Sequence, residues 1–189
     1  MMSQSENFDL TPIGSLPEGW ISGVTGAGAP KWSVTADPTA PSQPNVLTQS
    51  GSGRFPWAVR KDTLLGDGFV ETRFKSISGD QDQAGGVVWR FQDGQTYYVA
   101  RANANEDNVS LYYTTLGIRS TIKYVPAPVP TAVWHTLRAE FHGKTIRVLF
   151  NGKLYIEAED EHIPEPGAVG VWTKADSVTA FDDFRFGGR

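Results

Sequence analysis

The chain has 189 residues, a formal charge of −4, 39% hydrophobic and 20% charged residues, 20 Gly, 12 Pro and no Cys. Such a length buries one core and reads as a single domain over residues 1–189, while the acidic balance excludes a nucleic-acid binder and the missing Cys excludes zinc fingers, thiol catalysis and disulfide staples. No apolar run reaches the roughly 18 residues of a membrane span, and the polar start, Met1 to Phe8, carries no signal-peptide core.

From the N-terminus, Phe8, Leu10 and Ile13 alternate loosely as an entry strand before a turn at residues 16–20. Residues 22–44 are rich in Gly, Ala, Pro, Ser and Thr, which predicts loop, with one short strand at 32–35 and an irregular tract at 37–44. Short strands follow at 46–49 and 57–61. Residues 69–77 alternate with period two and place Val70, Thr72 and Phe74 on one face. A buried strand at 85–91, an Asp93-Gly94 turn and a strand at 96–102 form a hairpin. Segments 109–114 and 118–122 pair across Leu116-Gly117, and prolines between 126 and 130 end that pair. Strands at 134–141, 145–150 and 153–158 are separated by His142-Gly143-Lys144 and by Asn151-Gly152, the latter a strong hairpin signal. A single helical turn is expected near 160–163, then two last strands within 167–186. No segment shows 3.6-residue periodicity. About a dozen short strands at this spacing predict an all-β fold of two packed antiparallel sheets, a sandwich or jelly roll.

Three groups of side chains carry chemistry. Arg90, Arg101, Asn103, Glu106 and Asn108 form the most polar set near the sheet centre. If their strands are neighbours, the guanidiniums fork from one face onto ligand oxygens; alternatively Arg101 pairs with Glu106 and the Asn side chains bond turn backbone. Trp172, Lys174, Asp176 and Ser177 suit a sugar, whose C–H face stacks on an indole, or else form a core Trp and an ordinary turn. Trp57, Tyr97, Tyr98, Tyr112 and Tyr113 are further stacking candidates, each adjacent Tyr pair sending one ring to each face. Asp182 and Asp183 lie among core aromatics and need a cation, Arg185 or backbone N–H groups. His135, His142 and His162 do not cluster, and no nucleophile elbow or phosphate loop occurs.

The stretches Ala-Gly-Gly-Val-Val-Trp-Arg-Phe (84–91), Tyr-Tyr-Val-Ala-Arg-Ala-Asn-Ala-Asn-Glu-Asp-Asn (97–108), Trp-His-Thr-Leu (134–137), Phe-Asn-Gly-Lys (150–153) and Gly-Ala-Val-Gly-Val-Trp-Thr-Lys-Ala-Asp-Ser (167–177) resemble concanavalin A-like lectin/glucanase domains. Among those, the chain is most similar to bacterial laminin-G-like and 3-keto-disaccharide hydrolase-like domains, over residues 69–186. The resemblance implies a concanavalin A-like jelly roll with its terminal strands paired at one edge. It also implies a carbohydrate-binding module whose concave sheet contacts a saccharide through Arg90, Tyr98, Arg101, Asn103, Trp172 and Lys174. A second reading is a glycoside hydrolase similar to 3-keto-disaccharide hydrolases, with Glu106 or Asp176 as catalytic base and an Arg polarising the keto group. A third is a protein-interaction module of the bacterial envelope. The paired acids of family 16 glucanases are missing: Glu157, Glu159 and Glu161 alternate but run into a Pro-containing turn, whereas retaining hydrolysis needs two carboxyls about 5–5.5 Å apart. A structural calcium is expected between Asp9, Asp182 and Asp183. The partner is expected to be carbohydrate, the state a monomer, and the location periplasmic or secreted.

Overall fold

In the computed structural model, which describes residues 3–188, the alternating segments all become strands and no described residue is helical. One sheet runs β13 (Lys153–Glu159), β12 (Thr145–Phe150), β11 (Trp134–His142), β6 (Gly68–Ser78), β15 (Val178–Gly188), β4 (Asn45–Gln49), β3 (Trp32–Ala36), with β1 (Gln4–Glu6) also on β15. The other runs β10 (Ile118–Pro126), β9 (Asn108–Thr115), β8 (Thr96–Asn103), β7 (Ala84–Asp93), β14 (Gly167–Trp172), β5 (Ser52–Leu65), β2 (Trp20–Ala29). Every pairing is antiparallel. The expected two-sheet jelly roll is therefore the fold.

The main core lies between the sheets. Val70, Phe74, Leu137, Phe141, Val148 and Phe181 from the first sheet meet Val87, Trp89, Tyr98, Leu111 and Val171 from the second. Trp89 stacks between Tyr98 and Phe141, with ring centroids 5.6 Å away on each side. Val70, Thr72 and Phe74 are all inward and fully buried, as their alternation requires.

Three expectations are corrected. Most of residues 22–44 is strand rather than loop, in β2 and β3; only 37–44 is irregular, and it covers the outer face of the first sheet. There Ala40 packs with Val46, Ala180 and Trp134, and Lys75 Nζ holds Asp37 at 2.5 Å. Residues 160–163 form no helical turn, because the Asp160 carboxylate accepts the His162 N–H at 2.9 Å and fixes an Asx turn instead. The terminal strands do pair, but not at an edge. β15 lies inside its sheet, and its 11 residues give β4 one stretch and β1 another on the same side.

The second sheet is deeply bowed. Arg119 on edge strand β10 places its guanidinium 4.8 Å from the ring of Phe55 on β5, five strands away. A flat sheet would separate those strands by about 24 Å, more than two side chains span. The face turned away from the core is thus a hollow whose rim strands lean toward each other.

Candidate functional site

Register decides which side chains line the hollow. Trp57 pairs with Trp172, Trp172 with Gly86, Gly86 with Arg101, Arg101 with Ser110 and Ser110 with Tyr124. Cross-strand partners share a face, so this one row crosses six strands on the concave side. Gly86 sits where a Cβ would fall 3.2 Å from the Trp172 ring and 3.4 Å from the Arg101 Cβ. Its missing side chain is what lets the indole and the arginine flank one another. With Trp57 and Trp172, the residues Phe55, Val59, Val88, Phe91, Tyr97, Val99 and Tyr112 form a second, smaller apolar cluster. Phe55 stacks on Trp172 at 5.4 Å, and Trp57 meets Phe91 edge-on at 4.7 Å.

A polar network occupies one end of this floor. Arg101, only 2% exposed, donates through Nε and Nη2 to the Tyr112 hydroxyl at 3.2 and 2.9 Å, and through Nη2 to Glu106 at 2.7 Å. Glu106 also accepts from Asn108 Nδ2 at 3.1 Å, and Asn108 donates to the Tyr124 hydroxyl at 2.7 Å. Asn103 Nδ2 donates to Asp82 at 2.9 Å, and Lys174 Nζ lies 3.5 Å from the other oxygen of Asp82. Glu106 and Tyr124 are the exposed members, at 40% of the Glu106 side chain and 52% of Tyr124. Partial burial raises the Glu106 carboxyl, but the Asn108 and Arg101 bonds and the Arg101 charge outweigh it and hold the group below its ordinary range. It is a carboxylate at neutral pH, an acceptor for hydroxyls rather than a proton donor.

Arg119 was not singled out from the sequence. Its guanidinium lies 4.1 Å over Tyr112 and 4.8 Å over Phe55, and among the described residues it has no hydrogen bond and no ion pair. Burial, with the nearby Arg101 charge, lowers its pKa, yet a guanidinium stays protonated in proteins. The only sequence signal was its place in an alternating strand, which does not distinguish it from an ordinary surface arginine.

Several predicted residues are elsewhere. Arg90 does not join Arg101, although their strands are neighbours. A bulge between Trp89 and Asp93 and a φ of +47° at Arg90 break the alternation that would have aimed it into the hollow. Its guanidinium instead donates to the carbonyls of Gly66, Ile163 and Gly143 at 3.0, 3.0 and 2.8 Å, on the core side. Tyr98 is likewise on the core face, its hydroxyl bonding Asp160 at 2.6 Å; Tyr97 is the member of that pair facing the hollow. Asn103 accepts the N–H groups of Asn105 and Glu106, and so organises the turn that presents Glu106. Asp176 accepts N–H groups from Asp80, Gln81 and Asp82 at 2.8–3.2 Å and clamps that turn. Trp172 is wholly buried beneath Phe55 and Lys174 half-exposed.

At the opposite face, Asp182 accepts from Ser42 N and Asp183 N at 2.8 Å each, and Asp9 accepts from Ser42 Oγ and from Asn45 N at 2.9 Å. Burial pushes the Asp182 carboxyl up to about 7, with Asp183 and Asp9 adding to the rise against the two N–H bonds. Asn45 Oδ1 is buried without a partner beside them. Two carboxylates and an orphaned amide oxygen are a hard-oxygen donor set, which fits calcium. Asp183 Oδ2 lies 3.9 Å from Arg73 Nε, and among the described residues no three His, Cys, Asp or Glu side chains converge as a metal group.

No family model and no curated protein matches the sequence. In structure the chain is similar to the carbohydrate binding module CBM66 from Bacillus subtilis, with a TM-score of 0.73 at 18% identity over 89% of this chain and 96% of that one. It is also similar to the cellulose induced protein Cip1, at 0.67 and 14% over 98% and 97%, and to a Bacillus licheniformis β-glucanase, at 0.59 and 15% over 99% and 98%. These likenesses establish a shared jelly-roll fold, and a fold does not by itself fix a function.

Proposed function

We propose that this protein binds a saccharide at the polar end of its hollow sheet. The observation that carries the reading is the row from Trp57 to Tyr124, which ends in the hydrogen-bonded chain Arg101, Glu106, Asn108, Tyr124. Such a preset run of charged acceptor, amide and phenol matches the alternating donors and acceptors of sugar hydroxyls. Glu106 and Tyr124 make the contacts, and Arg101 and Asn108 hold them in place from behind. Structural neighbours described as a carbohydrate binding module, a carbohydrate recognition domain and a β-glucanase support the same ligand class. Binding is favoured over hydrolysis because Glu106 is tied to a cation and Asp176 is committed to three backbone N–H groups. Calorimetric titration against a glycan panel tests this. A binding oligosaccharide should lose about tenfold or more in affinity with Glu106→Gln, the scale of a charged hydrogen bond, and a smaller factor with Tyr124→Phe. A panel without any binder overturns the reading.

We also propose that Asp9, Asp182 and the Asn45 amide oxygen hold a structural calcium, which would neutralise the buried Asp182 and half-buried Asp9 carboxylates and tie the N-terminal segment, the 37–44 loop and β15 together. Millimolar calcium should then raise the melting temperature of chelator-treated protein by mass action. An unchanged melting temperature with and without chelator disposes of the ion.

A further inference from the structure

Resting on the saccharide reading above, we infer that the ligand is acidic, a uronate-bearing glycan whose carboxylate is received by Arg119 together with Lys174. The protein as a whole is acidic, with 17 basic against 21 acidic residues, yet the hollow inverts that balance. Arg101, Arg119 and Lys174 line it, and the Arg54 guanidinium lies 5.4 Å from the same Phe55 ring that Arg119 approaches to 4.8 Å. The carboxylates among them are Glu106, which Arg101 engages, and Asp82, which Asn103 and Lys174 engage. Asp176 lies beyond, turned to the 80–82 amides.

Arg119 is the residue left over. A half-buried guanidinium normally finds a carboxylate or carbonyl, because leaving its donors unmet costs free energy. This one has neither among the described residues, and its Nη1 is sealed from solvent without an acceptor. Arg101 Nη1 is in the same condition, in a side chain that is otherwise fully engaged. Ring faces alone hold Arg119 across the hollow, so its arm swings to meet an incoming anion without breaking a hydrogen bond. A planar guanidinium takes a carboxylate with two parallel N–H bonds. At Lys174 a cleft of about 500 Å³, lined also by Ser52, Arg54 and Asp82, offers room for adjoining sugar units.

The test is calorimetry with matched oligosaccharides that differ only in the carboxyl group: oligouronides of gluco, galacto and manno configuration against their carboxyl-reduced forms. At least one uronide should bind about tenfold more tightly than its reduced partner, and the advantage should shrink as salt rises, since the site is partly open to solvent. Arg119→Gln and Lys174→Gln should each abolish that advantage, so that acid and reduced forms bind the variant with affinities within about twofold of each other, a difference worth only about 0.4 kcal/mol. Equal affinity for acid and reduced forms overturns the inference and leaves saccharide binding intact. Binding of no member of either series removes both. A uronide preference that survives Arg119→Gln, with the variant's melting temperature unchanged, overturns the assignment of the anion to this site.

Discussion

At the scale of single residues, the hollow depends on side chains that touch no ligand. Asp176 is the clearest. Slight burial raises its carboxyl, but N–H groups donated by Asp80, Asp82 and Gln81 outweigh that and hold it below the ordinary carboxylate value. A folded-state value below the unfolded one means stability that is complete above about pH 4 and is lost as pH falls through the lowered value. Asp176→Ala should therefore lower the melting temperature at neutral pH. At about 1–2 kcal/mol for the exposed clamp, the drop is several degrees in a domain of this size. The gap between variant and parent should begin to narrow below about pH 4 and close only once the pH is below the lowered value, where the folded parent's carboxyl is itself protonated. A gap that persists unchanged at low pH would show that the clamp works through something other than its charge. Because the clamped turn carries Asp82, the same variant should also weaken any ligand that depends on Lys174.

Individual strands show where sequence patterning was sufficient and where it failed. The hairpin at Asn151-Gly152 was legible because its chemistry is local: both residues have positive φ, +50° and +81°, as a two-residue turn of this hand demands. Strand β2 was missed because its glycines serve a partner far along the chain. A Cβ at Gly23 would fall 2.5 Å from the Trp57 ring, so the glycine makes room for an indole on the neighbouring strand. Composition alone reads such a segment as loop. Gly23→Ala should then displace Trp57 from its edge-on contact with Phe91 and cost about 1–3 kcal/mol, the usual range for overpacking. Thermal unfolding with tryptophan fluorescence checks this; an unaltered melting temperature and emission maximum would contradict the close packing. The arginines divide in the same way. Arg101 faces the hollow because β8 alternates without interruption, and its pairing with Glu106 was one of the two readings the spacing allowed. Arg90 escaped because one bulge, invisible in composition, sends its side chain to the other face. Arg119 escaped because its importance lies in lacking a partner, which only the packed molecule reveals.

For the whole molecule, curvature governs both the site and the state of association. The strand paths of the two open sheets end at β13, β3, β10 and β2, with the three-residue β1 as a further short margin on β15, and an exposed flat edge invites pairing with another copy. Each is blunted differently here. Strand β13 turns Lys153, Glu157 and Glu159 outward, and β3 has only five residues. Strand β2 is bulged between Thr25 and Gly28, and β10 is bulged between Thr121 and Lys123 and ends at Pro126. A bulge interrupts the regular ladder and adds local twist, and charges resist stacking edge to edge. The bowing that brings Arg119 over Phe55 also leans β10 in across the hollow, away from the flat presentation that a partner strand needs. The chain should therefore run as a monomer, with light scattering giving the mass of one chain from micromolar to near-millimolar concentration. Replacing Lys123 with Val on the bulged stretch of β10 should be the change that first introduces self-association, since it removes the exposed charge at the bulge of that edge. A mass that already doubles with concentration in the parent protein would mean that bulges and charges do not protect these edges.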